Sequence, residues 1–316
     1  MRRKNFWNNK KVLVTGGAGF LGSHLVSRLE KLKPKLIEIT RSHRYDLRNY
    51  DTCLKACRGI DIVIHLAAHV GGIGYNHVHP AELFDDNILM SVNMMRAARK
   101  MGVKKFVAIG TICSYPKYTP VPFREKYLWT GYPEETNAPY GLAKLISLVQ
   151  AQSYRKQYGF NAIYLLLVNL YGPADNFNPK SSHVIPALIR KIIEAKEKEK
   201  DEVVVWGTGK ATREFLYVVD AADGILKAAE KYEKPDPVNL GAGFEISIKE
   251  LAYLIKELID YKGKIIWDKS KPDGQPRRML DTTRAKKEFG FIAGTPLQLG
   301  LLKTIDWYKS YIGRKL

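Results

Sequence analysis

The stretch IGTICSYPK (residues 109–117) sets a hydroxyl (Thr111), a thiol (Cys113) and a phenol (Tyr115) at every second position, directly after the apolar run FVAIG. Downstream, APYGLAK carries Tyr140 and Lys144, four residues apart and so on one face of a helix. A nearby ammonium lowers a phenol's pKa from about 10, which makes the pair usable for proton transfer near neutrality. Thr111, at the end of a strand, is placed to hydrogen-bond the same substrate oxygen. Together the three side chains suit proton delivery to a carbonyl. Cys113 follows Thr111 by two residues, which puts its thiol on the same side if the strand geometry continues. A thiol titrates near pH 8.5 and so can exchange a proton near neutrality. Taken alone, an isolated cysteine reads as a small buried hydrophobe.

Such groups need a rigid platform. The β-rich runs VLVT (12–15), LIEIT (36–40), DIVIHLA (61–67), KFVAIG (105–110) and AIYLLLVNL (162–170) alternate with helix-like stretches such as LGSHLVSRLEKL and ILMSVNMMRAARKMG. Nearly all-apolar strands separated by amphipathic segments predict an α/β fold with a Rossmann-type doubly wound parallel sheet. After Tyr171, turn formers dominate GPADNFNPKSSH and the elements shorten, which predicts a smaller mixed α/β substrate lobe. The expected division is 1–172 with 214–240 for the dinucleotide-binding domain, and 173–213 with 241–316 for the lobe.

VLVTGGAGFLGSHL sets Gly16, Gly17, Gly19 and Gly22 between the first strand and the first helix. Glycines permit a tight turn and close backbone approach, and the N–H groups opening the helix face a pyrophosphate. Gly16, Gly19, Phe20, Leu21 and Gly22 are therefore the expected contacts of a dinucleotide. The second strand runs into ITRSHRYD, with Thr40, Arg41 and Arg44 where an acidic residue would accept from a ribose hydroxyl. A guanidinium suits a 2′-phosphate instead, so NADP (NADPH) is the expected cofactor and Arg41 its marker.

Hydrophobic residues make up 45% of the chain and charged ones 26%, the balance of a folded protein rather than a disordered one. Fifty-one lysines and arginines stand against 32 acidic residues, a formal charge of +19 that suits an anionic partner. The basic residues are scattered and no nucleic-acid motif is visible, so a phosphate-bearing small molecule is expected rather than nucleic acid. No apolar run approaches the roughly 20 residues of a membrane helix, and the start MRRKNFWNNK lacks the apolar core of a secretion signal. A cytoplasmic location with no membrane partner is the expectation. Three cysteines make neither a disulfide framework nor a four-cysteine zinc site. His65, His69, His77 and His79 lack a regular ligand spacing, so no metal is expected.

Longer stretches are more specific than the glycine turn: AAHVGGIGYN (67–76), the C-x-Y-P-K of Cys113 to Lys117, NLYGPADNFNPKSSHVIPALIRK (169–191), VVVWGTGKATREFLYVVD (203–220) and KPDGQPRRMLD (271–281). On these the chain resembles, over essentially its whole length, the extended short-chain dehydrogenase/reductase family. Within that family it is similar to the branch that epimerises and reduces GDP-4-keto-6-deoxy-D-mannose. The resemblance implies NADPH, a GDP-linked keto-deoxy sugar, C3/C5 epimerisation followed by hydride reduction at C4 to give GDP-L-fucose, and a homodimer. It implies catalytic roles for Thr111, Cys113, Tyr140, Lys144 and His183, with Cys113 as base and His183 as acid. Cofactor contacts are implied for Lys144, Asn169, Leu170 and His183, and substrate contacts for Lys191, Trp206, Arg213 and Asp281. Asn87, with Asn93 nearby, matches the family's helix-borne asparagine.

Two departures stand out. Thr111 and Ile112 occupy positions where the family usually has two serines, and Lys191 stands where arginine is common. They leave open an epimerase/reductase for another GDP-linked 4-keto sugar, such as a 6-deoxy-heptose. A non-catalytic dinucleotide- or RNA-binding relative is a third reading, against which the presence of Thr111, Tyr140 and Lys144 together counts. The cofactor expectation is testable by titration: Arg41→Ala should weaken NADPH binding about tenfold, the loss of one charge-assisted contact, and leave NADH binding unchanged. Equal losses for both cofactors would refute the assignment.

Overall fold

The computed structural model describes residues 5–271 and 273–314. A six-stranded sheet forms the centre. It takes in β1 (Lys11–Thr15), β2 (Leu36–Thr40), β3 (Ile62–His65), β4 (Lys105–Thr111), β5 (Ala162–Leu167) and, after four short strands described below, β10 (Val238–Leu240). The order across it is β10-β5-β4-β3-β1-β2, with every pairing parallel. Helices α1 (Phe20–Lys31), α2 (Tyr50–Ala56), α3 (Ile73–Val78), α4 (Pro80–Lys100) and α5 (Ala138–Tyr158) provide the crossovers. All seven residues of β4 are buried, as expected of a strand covered on both faces. The strand order reverses at β1, and the crevice beyond the carboxyl ends of β1 and β3 is where such sheets bind ligands.

The predicted strand 162–170 divides in two. β5 stays in the main sheet, whereas β6 (Asn169–Tyr171) pairs with β9 (Phe215–Tyr217) in a separate ribbon. The break lets the chain leave the sheet and enter the second lobe. That lobe contains α6 (Val184–Glu197), β7 (Glu202–Trp206) and β8 (Thr212–Arg213), and after α7 (Val218–Lys231) it continues with β11 (Ile246–Ser247), α8 (Ile248–Ile259), β12 (Lys264–Asp268) and β13 (Arg277–Arg278). α9 (Thr283–Phe289) and α10 (Leu297–Gly313) complete the chain. β7 pairs with β12, and β8 lies between β11 and β13. A capping box between Ser247 and Glu250 starts α8, with each side chain bonded to the other residue's backbone N–H.

Two cores result. One lies under the sheet, from Val12 and Leu25 to Met94, Phe106 and Leu148; the other joins Ile189 and Ile192 of α6 to Leu251 and Ile255 of α8 and to Leu301 of α10. Each such fully buried side chain contributes about 1.5–3 kcal/mol of hydrophobic stabilisation. One stretch departs from the expected division: Leu280, Ala285, Phe289 and Phe291 pack on the first core although they follow the lobe in sequence. Among the described residues no helix is long and apolar enough to cross a membrane.

Asp175, in the turn that leads from β6 toward α6, is buried, and its Oδ2 has no partner among the described residues. Burial pushes its carboxyl up to about 7, against a weaker opposing bond from the Asn176 N–H. A raised folded-state pKa favours the protonated form. Its contribution to stability is therefore full below about pH 4 and is lost as pH rises through about 7. Asp175→Asn removes that titration, so its stability relative to the wild type should improve by at least ~1 kcal/mol between pH 5 and pH 8 in denaturant titrations. A pH-independent difference would contradict this assignment.

Candidate active site

The glycine turn closes as its sequence requires. Gly16 has φ +67°, Gly19 N–H donates to Gly16 O at 2.9 Å, and a Cβ on Gly22 would lie 2.0 Å from that same oxygen. Only glycine fits at position 22. Helix α1 starts at Phe20 with Gly19 as its cap, no side-chain cap bond and no acidic residue in its first turn. Its opening N–H groups are thus free for an anion. Thr15 ties the turn to the end of β3: its hydroxyl meets His65 Nδ1 at 2.8 Å and accepts from the Ala67 N–H at 3.2 Å. Burial, with help from the Lys144 charge, pushes His65 down to about 3, so it stays neutral. Arg41 follows the carboxyl end of β2 and is exposed, open to a phosphate. Asn169 anchors the start of β6 by donating to Glu214 O at 3.0 Å, with half-buried Leu170 beside it against the first core. These features fit a dinucleotide with an additional phosphate.

The strand geometry does not carry through to Cys113. β4 ends at Thr111, and residues Ile112–Ser114 form a 3₁₀ turn in which Thr111 Oγ1 accepts from the Cys113 N–H at 3.2 Å. The alternation therefore breaks. Cys113 remains partly accessible, while Tyr115 turns into the core and donates to Asn239 Oδ1 at 2.7 Å. Helix α5 rests directly on this turn. Ser114 Oγ donates to Gly141 O at 2.8 Å, next to Tyr140.

Tyr140 and Lys144 share α5, but their electrostatics differ from the sequence expectation. Burial, and then the neighbouring Cys113, raise the Tyr140 phenol, whereas burial lowers Lys144 to about 8. Desolvation outweighs any pull of the ammonium on the phenol. The phenol therefore stays protonated at neutral pH, the state a proton donor needs. The Lys144 ammonium has no hydrogen-bond partner among the described residues and is free for a bound ligand.

His183 caps α6, and the loop before it is tied to the sheet by the Gly72 N–H donating to Ser181 O at 3.2 Å. The His183 side chain is exposed. Desolvation lowers its imidazole. On the lobe side, Arg213 is held by the carbonyls of Thr212 and Asp273 at 2.7 and 3.2 Å. Burial, then repulsion from Arg278, lower it to about 10. Trp206, at the end of β7, is 61% exposed with the Lys271 ammonium over its ring, so it is no core residue. Lys191 donates to Val204 O at 3.0 Å, two residues before Trp206, and desolvation followed by Arg190 lowers it.

Two expected residues have partners within the protein. Asp281 engages Arg124 at 3.1 Å and the Thr283 N–H at 2.9 Å on the border of a separate pocket that Arg284 and Tyr232 also line. Asn87 clamps the loop after β3, accepting from the His69 N–H and donating to the carbonyls of His69 and Leu83, while Asn93 donates to Arg48 O. Arg278 was missed: its Nη1 lies 3.7 Å from Cys113 Sγ. It belongs to KPDGQPRRMLD, but in sequence its type and spacing do not set it apart from Arg277. His69 is taken up by Asp86 and Tyr75, and no group of three or more metal-binding side chains occurs among the described residues.

Residues 12–241 match the model of the NAD dependent epimerase/dehydratase family. The chain is 42% identical over 301 residues to a probable GDP-L-fucose synthase 1 of Oryza sativa subsp. japonica, covering 94% of this chain and 92% of the relative. Among solved structures it is similar to a GDP-L-fucose synthetase from Naegleria fowleri bound to NADP, with TM-score 0.87, 28% identity, and coverage of 97% of this chain and 96% of that one. It is also similar to a GDP-6-OMe-4-keto-L-xylo-heptose reductase from C. jejuni, with TM-score 0.89, 27% identity, and coverage of 96% and 98%. With the glycine turn, the Tyr140 and Lys144 pair and this full-length similarity in place, the chain belongs to the NAD dependent epimerase/dehydratase family.

Proposed function

We propose that the protein is an NADPH-dependent epimerase/reductase that converts GDP-4-keto-6-deoxy-D-mannose to GDP-L-fucose in the cytoplasm. The observation that carries this reading is the packing of α5 on the turn that bears Cys113: a Cβ at Gly141, next to Tyr140, would lie 2.3 Å from Cys113 O, and Ser114 Oγ donates to Gly141 O. A plain ketone reductase has no use for a thiol there, whereas an epimerase needs a proton-transfer group beside the same sugar. The curated relatives at 37–42% identity that span nearly the whole chain, named GDP-L-fucose synthases, support it.

The turn residues Gly16 and Gly19 and the N–H groups of Phe20, Leu21 and Gly22 hold the cofactor's pyrophosphate, and Arg41 its 2′-phosphate. Lys144, Asn169 and Leu170 hold the nicotinamide half. NADPH, when bound, supplies the hydride that C4 accepts. Trp206 stacks on the nucleotide sugar, while Arg213 and Lys191 hold its diphosphate.

The substrate's 4-ketone acidifies the C–H bonds at C3 and C5. Cys113 removes a proton from one face of the ring, and His183 returns one to the other, inverting the centre. Desolvation lowers the imidazole of His183, which makes its protonated form the readier proton donor. Tyr140, kept protonated by burial, then gives its proton to the C4 oxygen, with Thr111 bonded to that oxygen and Lys144 supporting the phenol. Exposed Ile146 and Val149 of α5 and Leu89 of the adjacent α4 offer an apolar face for a second copy, which fits a homodimer.

A second reading replaces the sugar. Thr111 carries a methyl that serine lacks, Ile112 is buried in the first core, and the similarity to the C. jejuni heptose reductase favours another GDP-linked 4-keto sugar. Product identification after incubation with GDP-4-keto-6-deoxy-D-mannose and NADPH separates the two. In D₂O, Cys113→Ser should lose deuterium incorporation at C3 and C5. Tyr140→Phe should keep it while C4 reduction falls by about 10²–10⁴. Intact inversion in Cys113→Ser would remove the epimerase assignment.

A further inference from the structure

We propose that Arg278, from the lobe, is the positioning residue that holds Cys113 as a thiolate, so that the proton-accepting group exists only where β13 meets the turn after β4. This rests on the reading of Cys113 as the epimerising base. Arg278 is 9% exposed, and its Nη1 is 3.7 Å from Sγ. The guanidinium is oriented rather than merely near. Its Nε donates to Gln275 Oε1 at 2.7 Å, and Gln275 Nε2 donates in turn to Lys117 O at 2.7 Å, in the same segment as Cys113. Arg278 is thus clamped across the segment that carries the thiol.

The other charged or titratable groups around the thiol are Tyr140 from α5 and Arg213 from β8, whose register partner on β13 is Arg278 itself. The carboxylates near these arginines take their short hydrogen bonds from neutral donors and leave Nη1 of Arg278 to the thiol. Glu134 faces Nη2 of Arg278 at 3.9 Å but accepts from Thr136 Oγ1 and, at 2.5 Å, from Asn137 Nδ2. Asp273 accepts from the N–H and hydroxyl of Thr208 at 2.7 and 2.6 Å. Two guanidiniums held side by side repel each other unless anions lie against them; Glu134 faces Nη2 of Arg278, and the Cys113 thiolate is the anion that Nη1 reaches.

The chemistry requires this form. A neutral thiol does not remove a proton from carbon; a thiolate does. Sγ takes the C–H proton and becomes a thiol, leaving an enolate on the sugar. The protonated imidazole of His183 then returns a proton to the same carbon from the opposite face. Solvent exchange restores both groups, and Arg278, always charged, neither gains nor loses a proton.

Alkylation by iodoacetamide reads the thiolate directly, with no substrate present. Cys53 and Cys57 are buried, and desolvation pushes both thiols up to about 12, so Cys113 is the cysteine expected to react. Arg278→Gln should slow alkylation of Cys113 at pH 7 by about tenfold, with the deficit closing at pH 9.5, whereas Arg278→Lys, which keeps the charge, should stay within about threefold of the wild type. Deuterium incorporation at C3 should fall in parallel in Arg278→Gln. An unchanged rate at pH 7 in Arg278→Gln, or a deficit that persists at pH 9.5, would overturn the proposal. If Arg278→Gln fails to fold, a tenfold loss in folded Arg278→Lys overturns it just as well. Absence of C3 exchange in the wild-type enzyme would sink the epimerase reading, while the alkylation ratios would still decide the role of Arg278.

Discussion

The cleft depends on one contact made by an atom that is missing. A Cβ at Gly141 would lie 2.3 Å from the carbonyl oxygen of Cys113. Its absence lets α5 settle onto the turn that ends β4, and the Ser114 hydroxyl fastens the two. Tyr140 precedes Gly141 and Lys144 follows it by three residues, so this one packing distance fixes the phenol and the ammonium relative to Thr111 and Cys113. A strand buried on both faces supplies the rigid end from which the turn springs.

Burial then sets the protonation states. In water a phenol and an ammonium four residues apart would each favour the other's charged form. Here desolvation works against charge on both groups and leaves a protonated phenol above an ammonium lowered to about 8. The lobe adds further positive charge. β8 and β13 lie in register, so Arg213 and Arg278 stand side by side against the edge of the sheet domain. A site with a proton donor on one domain and paired cations on the other suits a keto sugar joined to a diphosphate.

Much of this was legible in the sequence, because its signals are local. The alternation of apolar runs and amphipathic helices gave the doubly wound sheet, and the spacing of Gly16, Gly19 and Gly22 gave the turn. Tyr140 and Lys144 were visible at helical spacing. What stayed hidden came from geometry between distant segments. The 3₁₀ turn at Ile112–Ser114 breaks the alternation that would have aligned Tyr115 with Cys113, since nothing in GTICSY other than tertiary packing ends the strand. The split between β5 and β6 at Val168 is similarly invisible in an unbroken apolar run. Arg278 is 165 residues from Cys113, and neither its type nor its neighbours distinguish it from the adjacent Arg277. Asp281, three residues further on, is held instead by Arg124.

The relation of two groups to the sugar ring decides whether inversion at C3 and C5 is possible. A crystal structure of the protein with NADP and a GDP-linked sugar measures it directly. The expected result is Cys113 Sγ and the His183 imidazole on opposite faces of the ring, each within about 3.5 Å of a carbon to be inverted or one water away. A ring bound with either group turned aside, or with both on the same face, would contradict double inversion and leave only reduction of a ketone.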